Sequence, residues 1–214
     1  MKPLLILRPE PGNSATAARA RALGLSPVQC PLFQMEPLPW AAPDPAQFDG
    51  LLLTSANALR HGGAELARLA ALDVLAVGQA TADAARAAGF RVVMTGDGGA
   101  DALLESVPGD RRLLHLAGAD HHRAGTRHSV ETLAVYRAAP LSPHIPAGEL
   151  VALVHSPRAG ARLAEIAPSR WPIAIGAISA PAAAACGEGW GALDWPAKPK
   201  DADLLALAAR LCQD

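Results

Sequence analysis

Lysine and tyrosine are nearly absent from this sequence: Lys2, Lys198 and Lys200 are its lysines, and Tyr136 is its single tyrosine. The 19 basic residues face 20 acidic ones, for a formal net charge of -1. That balance excludes the bulk positive field with which a protein attracts nucleic acid or an anionic membrane surface. Cysteine is as scarce. Cys30, Cys186 and Cys212 are odd in number and show no C-x-x-C spacing. Neither a disulfide framework nor a zinc site is indicated, and a reducing cytoplasm fits. Long hydrophobic runs are missing too. The apolar run after Lys2 stops at Arg8, short of a signal segment. The longest uncharged stretch, between Arg170 and Glu188, is rich in Ala and Gly and holds Pro172 and Pro181, so it does not read as a membrane span. No strand is followed by G-x-G-x-x-G and no P-loop is present, which argues against a dinucleotide enzyme.

What is present is regular alternation. With 214 residues, 50% of them hydrophobic, the chain can bury a sizeable core in one large domain or two small ones. Short apolar runs alternate with Ala-rich helical stretches, the pattern of an α/β protein with parallel sheets. "PLLILRP" reads as the first strand. "NSATAARARALG" follows as a helix, capped by Asn13 or Ser14 and closed by Gly24, and "SPVQCPLF" is the next strand. Strands are then expected near 51–54, 74–77, 91–94 and 112–116, with helices near 57–70, 80–88 and 101–107. Later strands fall at 151–154 and 172–175, with helices near 158–166, 180–186 and 202–211.

Two proline-rich segments bracket the central block. "MEPLPWAAPDPAQF" cannot be an interior strand or a helix, and "TLAVYRAAPLSPHIP" repeats its character after a β-like start. The chain is therefore expected to leave one domain, build a second, and return. Residues 1–37 with 143–214 form a discontinuous first domain, 46–132 the second, and 38–45 with 133–142 the linker strands. The four tryptophans read as anchors for the linker and the first domain. An internal repeat agrees with this division. "LLLTSANAL" lies over "ALVHSPRAG", Ser55 over Ser156; "VLAVGQATADAARAAGF" lies over "PIAIGAISAPAAAACGEGW", Gly78 over Gly176 and Thr81 over Ser179.

In parallel sheets, ligands sit beyond the carboxyl ends of the strands, against helix N-termini whose free N–H groups favour anions by about 0.3–1 kcal/mol each. Ser55, Asn57, Thr81, Ser156 and Ser179 fall at such junctions, and Gly78 and Gly176 would let a ligand approach the backbone. Two facing domains would line a cleft with neutral donors suited to a ligand with several carboxylates. The competing reading of each hydroxyl is an ordinary N-cap, with Ser156-Pro157 a cap followed by proline at the first helical position.

The order and spacing of "ILRPEPG", "DGLLLTSANAL", "VLAVGQATADAARAAGF", "LLHLAGADH", "LAVYRAAP", "ALVHSPRAG" and "IAIGAISAPAAAACGEG" resemble the uroporphyrinogen-III synthase family over essentially the whole chain. The resemblance implies two flavodoxin-like α/β domains joined by a two-stranded linker, and a cytoplasmic monomeric enzyme of heme biosynthesis that uses no cofactor or metal. It implies a linear tetrapyrrole substrate, hydroxymethylbilane, which loses its hydroxyl as water and closes to uroporphyrinogen III with ring D inverted. It admits a transient contact with hydroxymethylbilane synthase, which makes that unstable substrate. Tyr136 matches the family tyrosine proposed to assist departure of the hydroxyl; the competing role is an amphipathic wedge between domains. Arg8 matches the arginine of the opening motif, where a guanidinium fork suits a carboxylate or a structural ion pair. Ser55, Thr81, Gly118, Ser156 and Ser179 carry over as substrate-lining positions.

The segment "GADHHRAGTRHSVETLAVY" departs from the family pattern, which has a longer helix there. Ala117 also stands where an arginine is common, so an anion contact is missing or falls to Arg123. His121, His122 and His128 lack an acidic or thiol partner at ligand spacing, so this segment reads as a solvated turn rather than a metal site. His155, at a strand end, could assist proton movement. The alternative function is a non-catalytic two-domain binding or regulatory protein for a small polyanion, which would not need a phenol at Tyr136.

Overall fold

The computed structural model describes residues 1–121 and 125–213. The chain divides into two compact units, one made of Met1–Gln34 with Ala139–Asp214 and the other of Met35–Ala138.

The first unit is a five-stranded sheet in the order β11-β10-β9-β1-β2, formed by β1 (Leu4–Ile6), β2 (Pro27–Gln29), β9 (Leu150–Val154), β10 (Ile173–Ala177) and β11 (Ala192–Asp194). Every pairing in it is parallel. Leu4, Leu5, Ile6, Val151 and Leu153 are fully buried, as strands covered by helices on both faces must be. The helices are α1 (Gly12–Ala22), α5 (Pro157–Ile166), α6 (Ala180–Cys186) and α7 (Asp201–Leu211). Leu204, Leu205 and Leu207 of α7 join Leu4, Val151 and Leu153 in one core cluster. In order of appearance the strands read 2-1-3-4-5, the flavodoxin order, with its switch point between β1 and β9.

The second unit carries a six-stranded sheet in the order β3-β8-β7-β4-β5-β6. Its strands are β3 (Phe33–Pro37), β4 (Gly50–Leu53), β5 (Val74–Val77), β6 (Val92–Gly96), β7 (Arg112–Gly118) and β8 (Ser129–Pro140). From β8 to β6 the pairs are parallel. Their order is 3-2-1-4-5 rather than the flavodoxin order, and the switch point lies between β4 and β7. Helices α2 (Asn57–His61), α3 (Gln79–Ala87) and α4 (Gly99–Ser106) cover it. β3 is the edge strand, where proline is tolerated. The Leu38 N–H donates to the Val135 carbonyl and the Leu141 N–H to that of Leu32, so β3 and β8 run antiparallel. The division between units falls inside these two strands.

Several local expectations are corrected. The helix expected near 57–70 stops at His61, before Gly62 and Gly63, and continues only as a 3₁₀ stretch, Gly63–Leu69. Asn13 and Ser14 do not cap α1, whose N-cap is Pro11. Asn13 is instead fully buried, its amide donating to the carbonyls of Ile6 and Arg8 at 2.7 and 2.8 Å. Trp40 and Trp190 are anchored through their indole N–H to the carbonyls of Gly62 and Cys186. Trp171 and Trp195 anchor nothing of the kind and are 77% and 44% exposed. Among the described residues no helix is long and apolar enough to cross a membrane.

Candidate functional site

The crevice beside the β4–β7 switch point collects most of the expected residues of the second unit. β4 delivers Thr54 and Ser55 to its carboxyl end. The Ser55 hydroxyl accepts from the Asn57 N–H at 3.2 Å, and the Asn57 side-chain oxygen accepts from Arg60 at 3.0 Å. Both side chains thus tie down the first turn of α2. β7 ends on Gly118, which pairs in register with Tyr136 of β8. The Tyr136 ring lies across the Cα of Gly118 and packs on the core of this unit. Next along the sheet, Gly78 takes φ +81° at the N-cap of α3, a conformation only glycine adopts freely. Thr81 is buried at 5% exposure and its N–H donates to the Gly78 carbonyl, so it offers little to a ligand.

Two residues the sequence did not single out stand beside Tyr136 and Thr54. His61, at the end of α2, has its ring centroid 6.1 Å from that of Tyr136. Burial, then the charge of Arg60, lowers its pKa below the ordinary 6.5. His115 of β7 is 5% exposed, its Nε2 3.0 Å from the Thr54 hydroxyl and its Nδ1 3.5 Å from that of Thr132. Burial, then the charge of His121, holds its pKa down at about 4. His115 inside an apolar run, and His61 between Arg60 and two glycines, carry no sequence signal of their own.

His128 overturns the reading of the histidine segment as a solvated turn. It is 6% exposed. Its Nδ1 accepts from the Arg111 N–H at 3.1 Å and its Nε2 donates to the Leu104 carbonyl at 2.9 Å, pinning β7 to the end of α4. His121 Nδ1 sits 3.1 Å from the Gly118 carbonyl. His122 and Arg123 lie outside the described residues. Among the described residues no three His, Cys, Asp or Glu side chains gather to hold a metal ion.

In the first unit the strand ends at the β1–β9 switch meet a single carboxylate. Asp201, in the first turn of α7, accepts from Arg8 at 3.3 Å, from the Thr16 hydroxyl at 3.1 Å and from Arg19 Nε at 2.9 Å. His155 Nε2 lies 2.9 Å from the same carboxylate. The hydrogen bond from His155, outweighing burial and reinforced by Arg19 and Thr16, holds the Asp201 carboxyl far below the usual carboxylate range. Arg8, expected to meet substrate, and His155, read as able to assist proton movement, are thus both engaged by the protein itself. Ser156 caps α5, its hydroxyl accepting from the Ala159 N–H at 3.2 Å. Ser179 occupies the N-cap position of α6 but makes no capping bond with its hydroxyl. Gly176 lies inside a strand rather than past its end. It is buried within β10, where an added Cβ would stand 3.1 Å from Leu153 and 3.5 Å from Leu204. Its lack of a side chain serves the packing of α7 on the sheet.

The second unit therefore offers a phenol beside a switch point with turn-forming hydroxyls; the first offers a polar cluster centred on one acid. Comparison with known proteins places this arrangement. The family model described as Uroporphyrinogen-III synthase HemD matches residues 14–206. The crystal structure of uroporphyrinogen-III synthetase from Helicobacter pylori 26695 aligns over 99% of this chain and 100% of its own, with TM-score 0.72 and 16% identity. A mutant uroporphyrinogen III synthase from the extremely thermophilic bacterium Thermus thermophilus aligns over 99% of each chain, with TM-score 0.55 and 19% identity. These two are likenesses of fold. No curated protein matches the sequence. The family match runs through both units and nearly end to end, and the chain belongs to the uroporphyrinogen-III synthase family.

Proposed function

We propose that this chain converts hydroxymethylbilane to uroporphyrinogen III, with loss of water and inversion of ring D, and that Tyr136 acts in it as the acid. The observation that carries the activity is the family match over residues 14–206. For the role of Tyr136 the support is geometric. The phenol is half-buried, stands within β8 level with the carboxyl end of β7, and has the backbone of Gly118 bare beneath it.

The chemistry asks for little more. Departure of the bilane hydroxyl as water needs a proton, and a positioned acid contributes about 10²–10⁴-fold. The azafulvene cation left behind is attacked by the substituted carbon of ring D, giving a spiro intermediate that fragments and recloses at the free carbon. That carbon then loses a proton, so the proton given at the start is returned at the end and no cofactor is consumed. The rest of the catalysis is positioning, which holds ring D where the inverted closure is the near one. Gly78, Ser55, Asn57, Ser156 and Ser179 border the strand ends that would receive the substrate's carboxylates. Thr81, Arg8 and Gly176 would act on the framework behind them. The enzyme acts as a cytoplasmic monomer in this reading, fed by hydroxymethylbilane synthase.

The test couples the purified chain to a source of hydroxymethylbilane and separates the isomers by chromatography. Isomer III is expected in excess over the isomer I formed spontaneously. Isomer I alone from folded protein overturns the activity.

A further inference from the structure

The phenol of Tyr136 has two neighbours of different kinds: the bare Cα of Gly118 and the imidazole of His61, whose plane is tilted 34° to the phenol ring. A tyrosine side chain swings about two torsions, and only part of that range keeps the hydroxyl over Gly118. An aromatic neighbour at this distance restricts the swing, because tilted ring pairs within about 7 Å attract beyond the area they bury. α2 is built to hold His61 there. Its first turn is fixed by the Ser55–Asn57 and Asn57–Arg60 hydrogen bonds. The Gly62 carbonyl that follows accepts from the Trp40 indole at 2.8 Å.

We propose that His61 is a positioning residue for Tyr136, its ring contact keeping the phenol over Gly118 and against the β4–β7 crevice. The proposal rests on Tyr136 serving as the acid. At neutral pH burial and Arg60 keep the imidazole uncharged, so the phenol's neighbour is a neutral ring. Among the described residues, charged groups on the neighbouring elements have partners of their own. Arg137, next on β8, is bound to Glu36, and Glu65 beyond α2 accepts from the Ala42 N–H and from Arg68. His121 sits against the Gly118 carbonyl and serves as the control.

Because Tyr136 is the single tyrosine, protein labelled with carbon-13 at the tyrosine Cζ gives one resonance. On titration from about pH 7.5 to 5, that resonance should show an inflection with a midpoint below the ordinary imidazole value. The inflection is expected to persist in His121→Phe and vanish in His61→Phe. In the coupled assay, His61→Ala should lower kcat about five-fold with KM held within about two-fold, and His61→Phe should restore at least half of kcat. A flat titration, an inflection that survives in His61→Phe, or full kcat in folded His61→Ala overturns the proposal. Undiminished turnover in Tyr136→Phe would instead overturn the acid role, while the resonance would still report whether the rings meet.

Discussion

A Cβ built on Gly118 would stand 2.9 Å from Cζ of Tyr136 and 3.1 Å from its hydroxyl oxygen. Contacts that short do not occur, so something must shift, and the movable partner is the tip of a tyrosine side chain rather than backbone. Gly118→Ala should therefore leave stability within about 1 kcal/mol of wild type, since the strain is relieved by swinging one half-buried ring. The same swing removes the hydroxyl from its position, and kcat for isomer III should fall about ten-fold or more. Urea unfolding beside the coupled assay checks both halves. A large stability loss with normal turnover would mean that the strand moved and the ring did not.

Tyr136→Phe separates catalysis from packing. The ring that packs against the core cluster of the second unit is kept, and one oxygen is lost. Formation of isomer III should slow at least ten-fold, in line with the loss of a positioned acid, while the substrate remains protected from spontaneous closure. Turnover equal to wild type would leave Tyr136 a packing residue and pass the acid role to another group.

The strands at the centre of each sheet were legible because parallel strands are buried on both faces. Leu51, Leu52 and Leu53, or Val151, Ala152 and Leu153, leave no polar residue to blur the signal. β11 was not, because its Ala192 and Asp194 are exposed and its three residues have no apolar pattern. The polar residues were hardest. Asn13 carries the sequence signature of a helix cap, yet two backbone carbonyls compete for its amide and draw it into the core. His128 looks solvated in a run of charged and small residues, but the Arg111 N–H and the Leu104 carbonyl at the end of α4 give it partners. Gly78 and Gly176 align in the repeat, yet only Gly78 has a positive φ; one ends a strand and the other sits inside one. Which partner wins is a tertiary fact in each case. Tyr136 stood out because a lone tyrosine in a matched motif has few rivals, and its role is what the Phe variant tests.

Asp201 should show as an acid-sensitive joint. Its side chain is 21% exposed and gathers Arg8, Arg19, Thr16 and His155. Asp201→Asn leaves two guanidinium groups without their counter-charge and should cost about 1–3 kcal/mol at pH 7. Because the folded carboxyl titrates below its ordinary value of 3.8, this stabilisation is complete above that pH. It fades as pH falls below 3.8 and the unfolded chain takes up the proton first. The gap between wild type and Asp201→Asn in urea midpoints should thus be constant from about pH 7 to 5 and begin to narrow as pH falls below 3.8. A gap that does not narrow at all below 3.8 would show that the carboxylate's charge is not what holds the cluster.

His115 gives the opposite end of the sheet's chemistry a pH signature of its own. Its imidazole is buried between Thr54 and Thr132, and its pKa is held at about 4 against an ordinary 6.5. As pH drops below 6.5 the unfolded chain binds a proton that the folded chain refuses until about 4. The contribution of His115 to stability is therefore whole above 6.5 and lost progressively toward 4, by up to roughly 3 kcal/mol. Glutamine can still hydrogen-bond Thr54 but cannot titrate. Between pH 7 and about 4.5, wild type should accordingly lose about 2 kcal/mol more urea stability than His115→Gln. Parallel curves for the two proteins would place the proton elsewhere. The steeper curve would tie the acid limit of this enzyme to β7 itself, the strand that carries Gly118 and with it the seat of the phenol.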